Sequence, residues 1–441
     1  MRDNIILKSI VVVLSVIITS FYFFTFKFTY FAGANTKTVL AGVALLLLLI
    51  ELAKSRRVNL SKEIVIFTIY AMCMSLICMA AVVYNGTQDY TYVTYFVSMW
   101  VWLAAAYSVL LFLHRLNGRI SFDMLANYLI IVCVAQCVLA LLISRVPSVE
   151  VFASKINPGL DQLKRMADGR LFGLGCAFDV AGIRFSCVLV LIVRMICSQY
   201  RKIELNKSRV VLYWLSFLFI VVVGNMIART TTVGALIALA YLFFASSSIC
   251  RETFFKIWRS FIIVILLCAP IAVYLYNTDM AFREDVRFGF EGFFSLAETG
   301  RWEVSSNDIL ATMYRFPETL KTWLIGDGYI ESANNDPYYL GEYYLGYYKG
   351  TDVGYLRFIY YAGLPFLIAF IAFLSYVTRV CAKKYSRDRL MFIFILIVQI
   401  AVWFKVATDI FMFFALFLAW KNLGYEEVQP EEHSNDICYE S

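Results

Sequence analysis

Residues 277–352 of this chain have the sequence NTDMAFREDVRFGFEGFFSLAETGRWEVSSNDILATMYRFPETLKTWLIGDGYIESANNDPYYLGEYYLGYYKGTD. This polar insert lies between two hydrophobic runs, and nearly all of the remaining chain consists of further hydrophobic runs. The insert contains four arginines, many acidic residues and a tyrosine-rich end over residues 338–348. We therefore expect a membrane-type chain whose polar chemistry is concentrated in this one segment.

The composition of the 441 residues excludes a soluble multidomain protein. Hydrophobic residues make up 61% of the chain and charged residues 16%, whereas soluble domains have about 45–50% and about 25%. The hydrophobic runs predict an all-α polytopic membrane protein, embedded in membrane lipid, with about twelve transmembrane helices. The net charge of +7 lies mainly in short loops between the runs. Orientation in the membrane explains that pattern, so no nucleic-acid partner is predicted.

The order of hydrophobic and polar segments divides the chain into four predicted regions. Residues 1–276 contain roughly nine predicted spans, and residues 277–352 form the insert. Residues 353–423 contain roughly three more spans, of which the last two fill residues 390–423. The acidic tail, residues 424–441, has few apolar residues and is expected to be disordered.

Basic residues cluster in alternate loops, and the positive-inside rule places those loops and both termini in the cytoplasm. The insert is then periplasmic, on a side where topology does not call for arginine. The arginines predicted on that side include Arg170, Arg229, Arg283, Arg287, Arg301 and Arg315. The planar fork of guanidinium donors matches phosphate oxygens, so the group predicts a polyanionic substrate. For any single arginine, pairing with a neighbouring carboxylate is the alternative.

Several charged residues interrupt the predicted spans. Asp179 and Arg184 lie in the sixth span, five positions apart, so they do not pair along one helix face. Charges in the hydrocarbon zone cost roughly 2.5–3.5 kcal/mol on insertion scales and often mark function. We therefore expect a polar cleft beside this span. Arg357 and Asp409 lie near span ends, where a side chain that reaches back to the interface is the alternative.

The insert itself has two parts of different character. Residues 299–323 carry apolar side chains at spacings of three and four from Ile309 to Phe316, which predict one helix that Pro317 ends. Residues 331–352 are rich in Asn, Asp, Gly and Tyr. Tyrosine rings can stack on sugar rings or form an aromatic belt at the membrane interface. The mixture with Asn and Gly favours contact with carbohydrate.

Three motifs follow one another from residue 228 to residue 363. They are Ala228-Arg229-Thr230-Thr231-Thr232, then Thr299-Gly300-Arg301-Trp302 with Ile325-Gly326-Asp327-Gly328, and finally Thr351-Asp352-Val353-Gly354-Tyr355-Leu356-Arg357 with Tyr361-Ala362-Gly363. Their setting is a short arginine turn, a large outer loop and a loop-to-helix junction. In sequence and order, this set resembles the superfamily of lipid-linked oligosaccharide polymerases and O-antigen ligases.

Within that superfamily the ligases resemble one another in a histidine at the last junction, where this chain has Asp352. The chain therefore looks more like a Wzy-type polymerase of O-antigen or capsular polysaccharide. The resemblance implies a GT-C-like membrane fold and metal-independent polymerisation of undecaprenyl-pyrophosphate-linked repeat units in the bacterial inner membrane, without a cofactor. It also implies a flippase and a chain-length regulator as partners. An O-antigen ligase and a lipid-linked oligosaccharide flippase or transporter are the alternatives.

The resemblance also implies roles for particular residues. Arg229 and Arg301 would hold the leaving pyrophosphate and stabilise its growing charge. Asp352 would take the proton of the acceptor hydroxyl, with Asp327 and Glu303 as rival bases. The further residues predicted to bind substrate are Arg315, Arg170, Arg184, Arg357 and Tyr355, and no metal ligands are expected.

Overall fold

The computed structural model describes residues 2–28, 34–55, 61–167, 169–247, 251–344 and 346–419. In chain order their α-helices are α1 (Arg2–Phe23), α2 (Thr36–Ser55), α3 (Lys62–Asn85), α4 (Tyr95–Asn117), α5 (Phe122–Arg145), α6 (Pro147–Ile156), α7 (Leu160–Met166), α8 (Phe178–Tyr200), α9 (Lys207–Ile227), α10 (Thr230–Ser247), α11 (Arg251–Thr278), α12 (Met280–Gly289), α13 (Glu291–Thr299), α14 (Ser305–Thr312), α15 (Leu320–Leu324), α16 (Gly354–Lys384), α17 (Arg389–Val402) and α18 (Phe411–Leu418). These residues include no named strand, only two isolated bridges.

Ten of the described helices are long and apolar enough to cross a membrane. They are α1 to α5, α8 to α11 and α16. An all-helical chain with this many apolar helices has the architecture of a polytopic membrane protein, as the hydrophobic runs predict. The long helices follow the first ten predicted spans in order.

The last two predicted spans differ from the ten long helices. Helix α17 has 14 residues and α18 has 8, whereas a straight crossing needs about 20. After α17, the Thr408 carbonyl accepts hydrogen bonds from Gln399 Nε2 and Trp403 Nε1, each at 2.8 Å. Residues 420–423 of the predicted twelfth span, and the tail at 424–441, lie outside the described residues. A total of twelve spans stays a prediction.

The chain forms two compact units, each built from separate stretches of sequence. The first unit consists of the described residues of Met1–Leu40, Ala106–Phe290 and Leu416–Ser441. The second consists of those of Ala41–Ala105 and Glu291–Ala415. The polar insert is divided between them, since α12 belongs to the first unit and the rest of the insert to the second.

Helix α8 forms the interior of the first unit, with most of its residues buried. Its backbone lies close to that of α10, because Gly182 faces Thr230 and Gly234 faces Ser186 with no room for a β-carbon. Glycine permits such close approach between apolar helices. The hydroxyl of Ser186 also donates to the Thr230 carbonyl at 3.3 Å. This packing fixes the start of α10, directly after Arg229, against α8.

The second unit contains an aromatic core around α16. The rings of Phe366 and Phe370 are stacked with centroids 5.8 Å apart. Tyr92 packs edge-on against Phe366 at 5.2 Å, and Trp403 lies 5.2 Å from Phe370. Such aromatic pairs contribute about 0.5–1.5 kcal/mol each beyond their buried area. Helix α3 packs on α16 in the same unit, and Phe67 on α3 contacts Phe373.

Helix α16 contains a break that receives the insert. Ala362 and Gly363 leave helical geometry, and Pro365 has no N–H to bond the carbonyl four residues earlier, that of Tyr361. The Tyr361 carbonyl instead accepts the N–H of Gly328 at 3.1 Å. The neighbouring Tyr360 carbonyl accepts the N–H of Asp327 at 2.6 Å. Two motifs that are separate in sequence, 325–328 and 361–363, therefore dock on one another.

The loop after α3 runs alongside the same part of the insert. Helix α3 ends at Gly86 in a left-handed conformation, with φ 66°, a common helix stop. On either side of Gly86, Asn85 Nδ2 donates to the Gly326 carbonyl at 3.2 Å and Thr87 Oγ1 to the Gly328 carbonyl at 2.9 Å. Alternate residues of the loop thus bond alternate residues of the insert.

The single helix predicted over residues 299–323 is wrong. The structure has a short α14, Ser305–Thr312, and a separate α15, Leu320–Leu324. Gly300 has φ +72° and begins a turn before α14. The chain between α14 and α15 leaves helical geometry before it reaches Pro317, whose missing N–H disfavours a helix interior. The apolar spacing correctly indicated α14 but not its length.

Replacing Gly326 by alanine is expected to destabilise the second unit by several kcal/mol. Gly326 has φ +82°, and a β-carbon there would lie 2.5 Å from the Tyr361 carbonyl oxygen. The left-handed conformation costs a non-glycine residue about 1–2 kcal/mol, and a clash with backbone cannot be relieved by rotating a side chain. The measurement is the thermal unfolding of purified protein in detergent.

Gly346→Ala is the matched control for this prediction. Gly346 has nearly the same φ, +83°, but nothing lies within 4 Å of its added β-carbon. This variant has only the conformational cost of about 1–2 kcal/mol. Equal melting temperatures for the two variants would show that the docking at the α16 break contributes little to stability.

Candidate functional site

Two predicted arginines of the first unit meet at one phenyl ring. The guanidinium carbon of Arg229 lies 4.3 Å from the ring centroid of Phe288, and that of Arg170 lies 5.5 Å from the same centroid. The Nε of Arg229 also donates to the Phe288 carbonyl at 3.1 Å. Each arginine–ring contact contributes about 0.5–2 kcal/mol. Both guanidinium groups therefore lie within 6 Å of the centre of one ring.

The ring of Phe288 is fixed by helix α12. Asp279 caps the start of this helix, accepting the N–H of Phe282 at 3.0 Å. Arg145, at the end of α5, donates to Asp279 at 3.3 Å and to Asp285 at 2.7 Å. Partial burial raises the pKa of Asp285, while the Arg145 guanidinium acts in the opposite direction. These bonds hold α12, and therefore Phe288, on the end of α5.

The ring of Phe178 approaches the same arginine pair from the start of α8. Its centroid lies 5.8 Å from the guanidinium carbon of Arg170. Phe178 has φ 52°, a left-handed conformation that is unusual for a bulky residue. Strain of this kind costs about 1–3 kcal/mol and is found most often at binding and catalytic sites.

Arg184, the third arginine predicted in this region, is buried in the interior of the first unit. Its guanidinium lies 5.5 Å from the centroid of the Phe24 ring. The residue is only 9% exposed. That degree of burial favours a packing role over direct contact with a substrate.

The loop-to-helix junction of the second unit is built around Arg357. This residue is 6% exposed, and its Nε and Nη2 atoms donate to the carbonyl of Ile330 at 3.3 and 3.0 Å. Its guanidinium carbon lies 3.4 Å from the ring centroid of Tyr347. The Nη2 atom also reaches Oε1 of Glu331 at 3.4 Å. One arginine therefore joins α16 to two parts of the insert.

The turn before Glu331 is held by Asp89 from the loop after α3. One oxygen of Asp89 accepts the N–H groups of both Ile330 and Glu331, at 2.8 and 2.9 Å. The Asp89 carbonyl accepts the hydroxyl of Tyr361 at 2.7 Å. The side chain of Glu331 is 53% exposed. The turn therefore presents a carboxyl group to solvent beside the buried Arg357.

Asp327, a predicted rival base, has its side chain engaged by three donors. They are Lys321 Nζ at 2.9 Å, Thr322 Oγ1 at 2.8 Å and the Tyr348 hydroxyl at 3.3 Å. Lys321 also bonds Asn85. Burial and the Asp327 carboxylate raise the pKa of Tyr348, which keeps its hydroxyl a donor. Asp327 therefore has a structural role in holding the insert.

The other predicted residues of the junction lie at the start of α16. Asp352 is half-buried and directly precedes Val353, the residue before the helix. The hydroxyl of Tyr355 donates to the Ile400 carbonyl at 2.8 Å. Its ring packs on Phe404, with centroids 5.0 Å apart. Tyr355 thus joins α16 to α17.

The remaining predicted residues lie elsewhere in the insert. Arg301 and Glu303 are exposed beside Trp302, whose ring packs on Phe293 at 5.0 Å. Arg315 is also exposed, and its Nη1 donates to the Lys349 carbonyl at 3.2 Å. Arg229 belongs to the first unit and Arg301 to the second.

At the tyrosine-rich end of the insert, some tyrosines are buried and others are exposed to solvent. Tyr348 is buried and packs with Tyr329, Tyr339 and Tyr360 in one cluster. Tyr338 and Tyr343, like Leu340 between them, are largely exposed. The buried rings explain part of the tyrosine content by packing. The exposed rings remain able to contact a sugar.

No sequence pattern indicated three residues of these sites: Asp89, Glu331 and Phe288. Asp89 lies in a short loop 241 positions before Ile330, and no local pattern connects the two. For Phe288, the sequence showed no feature beyond its place on an apolar helix face. Among the described residues, no group of three or more His, Cys, Asp and Glu side chains could hold a metal ion.

Comparison with models of protein families, with curated proteins and with solved structures found no match to this chain. The resemblance of the three motifs therefore stays a prediction. The class that the fold defines is that of a polytopic, all-helical membrane protein.

Proposed function

We propose that this protein is a membrane glycosyltransferase that polymerises oligosaccharide repeat units carried on undecaprenyl pyrophosphate. The product would be O-antigen or a related surface polysaccharide, made on the outer face of a bacterial inner membrane. The observation that carries this proposal is the pair Arg170 and Arg229 against Phe288 in a chain of apolar helices. A lipid diphosphate has a polyprenyl tail, which can lie among such apolar helices. It also has a diphosphate anion, which two guanidinium groups can bind.

The arginine pair supports a role in stabilising a leaving group. When the bond between the sugar and the diphosphate breaks, negative charge grows on the diphosphate oxygen. Fixed guanidinium donors stabilise this charge increasingly as it develops in the transition state. Such electrostatic stabilisation usually makes the largest single contribution to lowering the activation barrier. Arg229 is already oriented by its bond to the Phe288 carbonyl, so little side-chain freedom is lost on binding.

The second unit supplies the features expected of a saccharide site. Exposed tyrosines, among them Tyr338 and Tyr343, offer flat faces for sugar rings. The junction at Arg357 and Glu331 places a carboxyl group beside a guanidinium. A reaction in which a sugar hydroxyl attacks an anomeric carbon needs a group that takes the hydroxyl proton.

Deletion of the gene tests the proposal. The expected result is surface polysaccharide with a single repeat unit and no ladder of longer chains on a gel, restored by the wild-type gene on a plasmid. The reason is that one repeat is still attached when polymerisation fails.

Two other outcomes would replace the proposal with its alternatives. Loss of all surface polysaccharide with accumulated lipid-linked polymer would identify a ligase. Loss of lipid-linked intermediates from the outer face of the membrane would identify a flippase.

A further inference from the structure

We infer that Glu331 is the general base that takes the proton of the acceptor sugar hydroxyl, and that Asp89 is the residue that positions it. This inference rests on the proposed function and names the group that performs the proton transfer. It replaces Asp352, which the resemblance implies for this role, with a residue that no sequence motif indicated.

The geometry around Glu331 satisfies the two demands on a base, access and orientation. Its side chain is 53% exposed, so a sugar hydroxyl can reach the carboxyl oxygens. One of those oxygens is held by Nη2 of Arg357 at 3.4 Å. Arg357 is itself fixed by two bonds to the Ile330 carbonyl and by the Tyr347 ring. A carboxyl group held on one side by a rigid partner and open on the other can be directed at a bound substrate.

The backbone that carries Glu331 is equally well fixed. The Asp89 carboxylate accepts the N–H groups of Ile330 and Glu331 through one oxygen. The same Asp89 accepts the Thr91 hydroxyl at 2.6 Å through its other oxygen. Hydrogen bonds to a carboxylate contribute about 1.5–3 kcal/mol each. Asp89 has its acceptors committed to the turn, so it positions the base rather than contacting the substrate.

The rival carboxylates meet these demands less well. Asp327 has three side-chain donors and is only 17% exposed. Glu303 is exposed, but its contacts are made by its backbone, whose N–H donates to Ser295 Oγ at 3.0 Å, and no described residue orients its carboxyl group. Asp352 is half-buried next to the first turn of α16. Glu331 both contacts an arginine and has a side chain that is more than half exposed.

The step balances without any co-reactant. The acceptor hydroxyl gives its proton to the Glu331 carboxylate, and its oxygen forms a bond to the anomeric carbon of the donor sugar. The bond between that carbon and the diphosphate oxygen breaks, and its electron pair stays on the diphosphate. Glu331 then releases the proton to solvent. The chain is one unit longer and the lipid diphosphate is free.

The surroundings of Glu331 tune it for proton transfer. Partial burial raises the pKa of Glu331, Arg357 lowers it and Asp89 raises it. The groups facing the carboxyl are Arg357 from α16, and Asp89 and Tyr92 from the loop after α3. The net direction is upward, and a base with a raised pKa binds a proton more strongly when it is ionised. Below that raised pKa the group is protonated, so activity should fall as the pH is lowered through it.

The experiment measures chain growth in isolated membranes that contain the full-length protein or a variant. The substrate is the lipid-linked saccharide extracted from the deletion strain. We expect Glu331→Gln to slow chain growth at least 100-fold and to remove the fall at low pH, because glutamine does not titrate. Glu331→Asp should restore part of the rate and move the fall to lower pH. Asp89→Asn should slow growth and keep a fall at low pH, but move it to lower pH, because the Asp89 charge that raises the pKa of Glu331 is gone.

A matched control and a binding measurement separate this role from a structural one. Glu318→Gln changes an exposed glutamate of the same insert and should leave the rate unchanged. Purified Glu331→Gln protein should bind undecaprenyl diphosphate in nanodiscs as tightly as the wild type. A rate for Glu331→Gln above half that of the wild type, or loss of activity in Asp352→Asn with Glu331→Gln active, overturns the inference alone. Wild-type membranes that add no repeat units overturn the proposed function, and the inference falls with it.

Discussion

Replacing Arg229 by alanine is expected to lower chain assembly by about 10²–10³-fold, the usual effect of removing one fixed donor from a charge-stabilising site. The variant should still accumulate; the contacts that it loses include the bond to the Phe288 carbonyl and the contact with the Phe288 ring. Arg229→Lys should recover part of the activity, since lysine keeps the charge but lacks the two-pronged fork. The measurements are the polysaccharide ladder on a gel and the binding of undecaprenyl diphosphate to purified protein.

A second variant and a control variant for this prediction lie in the same part of the chain. Arg170→Ala should weaken diphosphate binding in the same direction, because Arg170 lies against the same ring as Arg229. Arg165→Ala removes an exposed arginine of the preceding helix, α7, and should leave the ladder normal. A normal ladder in Arg229→Ala and Arg170→Ala alike would exclude the arginine pair as the diphosphate site.

Replacing Arg357 by alanine is expected to lower the free energy of unfolding by about 2–4 kcal/mol and to stop chain growth. The variant loses two bonds to the Ile330 carbonyl, which would remain without those donors at a buried site. It also loses the contact with the Tyr347 ring. Glu331 then has no guanidinium beside it, so the effect on activity should exceed the effect on stability.

Thermal unfolding in detergent and chain growth in membranes measure the two effects of the Arg357 change. Arg357→Lys should be intermediate in stability, because an ammonium group can bond the carbonyl but does not stack as a planar group. Arg379→Ala, an exposed position on the same helix, should change the free energy of unfolding by less than about 0.5 kcal/mol. A wild-type melting temperature for Arg357→Ala would mean that the junction does not depend on this arginine.

Local sequence patterns were sufficient for the helices that carry the sites. Each long apolar helix satisfies its own backbone hydrogen bonds and needs only length and apolarity, which a single run of sequence displays. The arginine turn between α9 and α10 and the junction before α16 could be located for the same reason. The helix predicted over 299–323 was wrong because apolar spacing indicates a face and not a length.

Contacts between residues far apart in the sequence could not be predicted from local patterns. Arg170 joins Arg229 because both reach Phe288, and the position of Phe288 depends on the bonds between Arg145 and α12. Packing between segments far apart in the chain decides such contacts. The periodicity of either segment carries no information about this packing.

The sequence by itself determined that this is a helical membrane protein and where its long helices lie. Hydrophobicity and charge act locally, so one chain displays them directly. Only the tertiary structure decided that Glu331, rather than a motif residue, stands open beside Arg357. The reason is that Pro365 leaves the Tyr361 carbonyl without its helical partner, so this carbonyl binds the insert. The insert in turn contacts the loop after α3, where Asp89 bonds the backbone of Ile330.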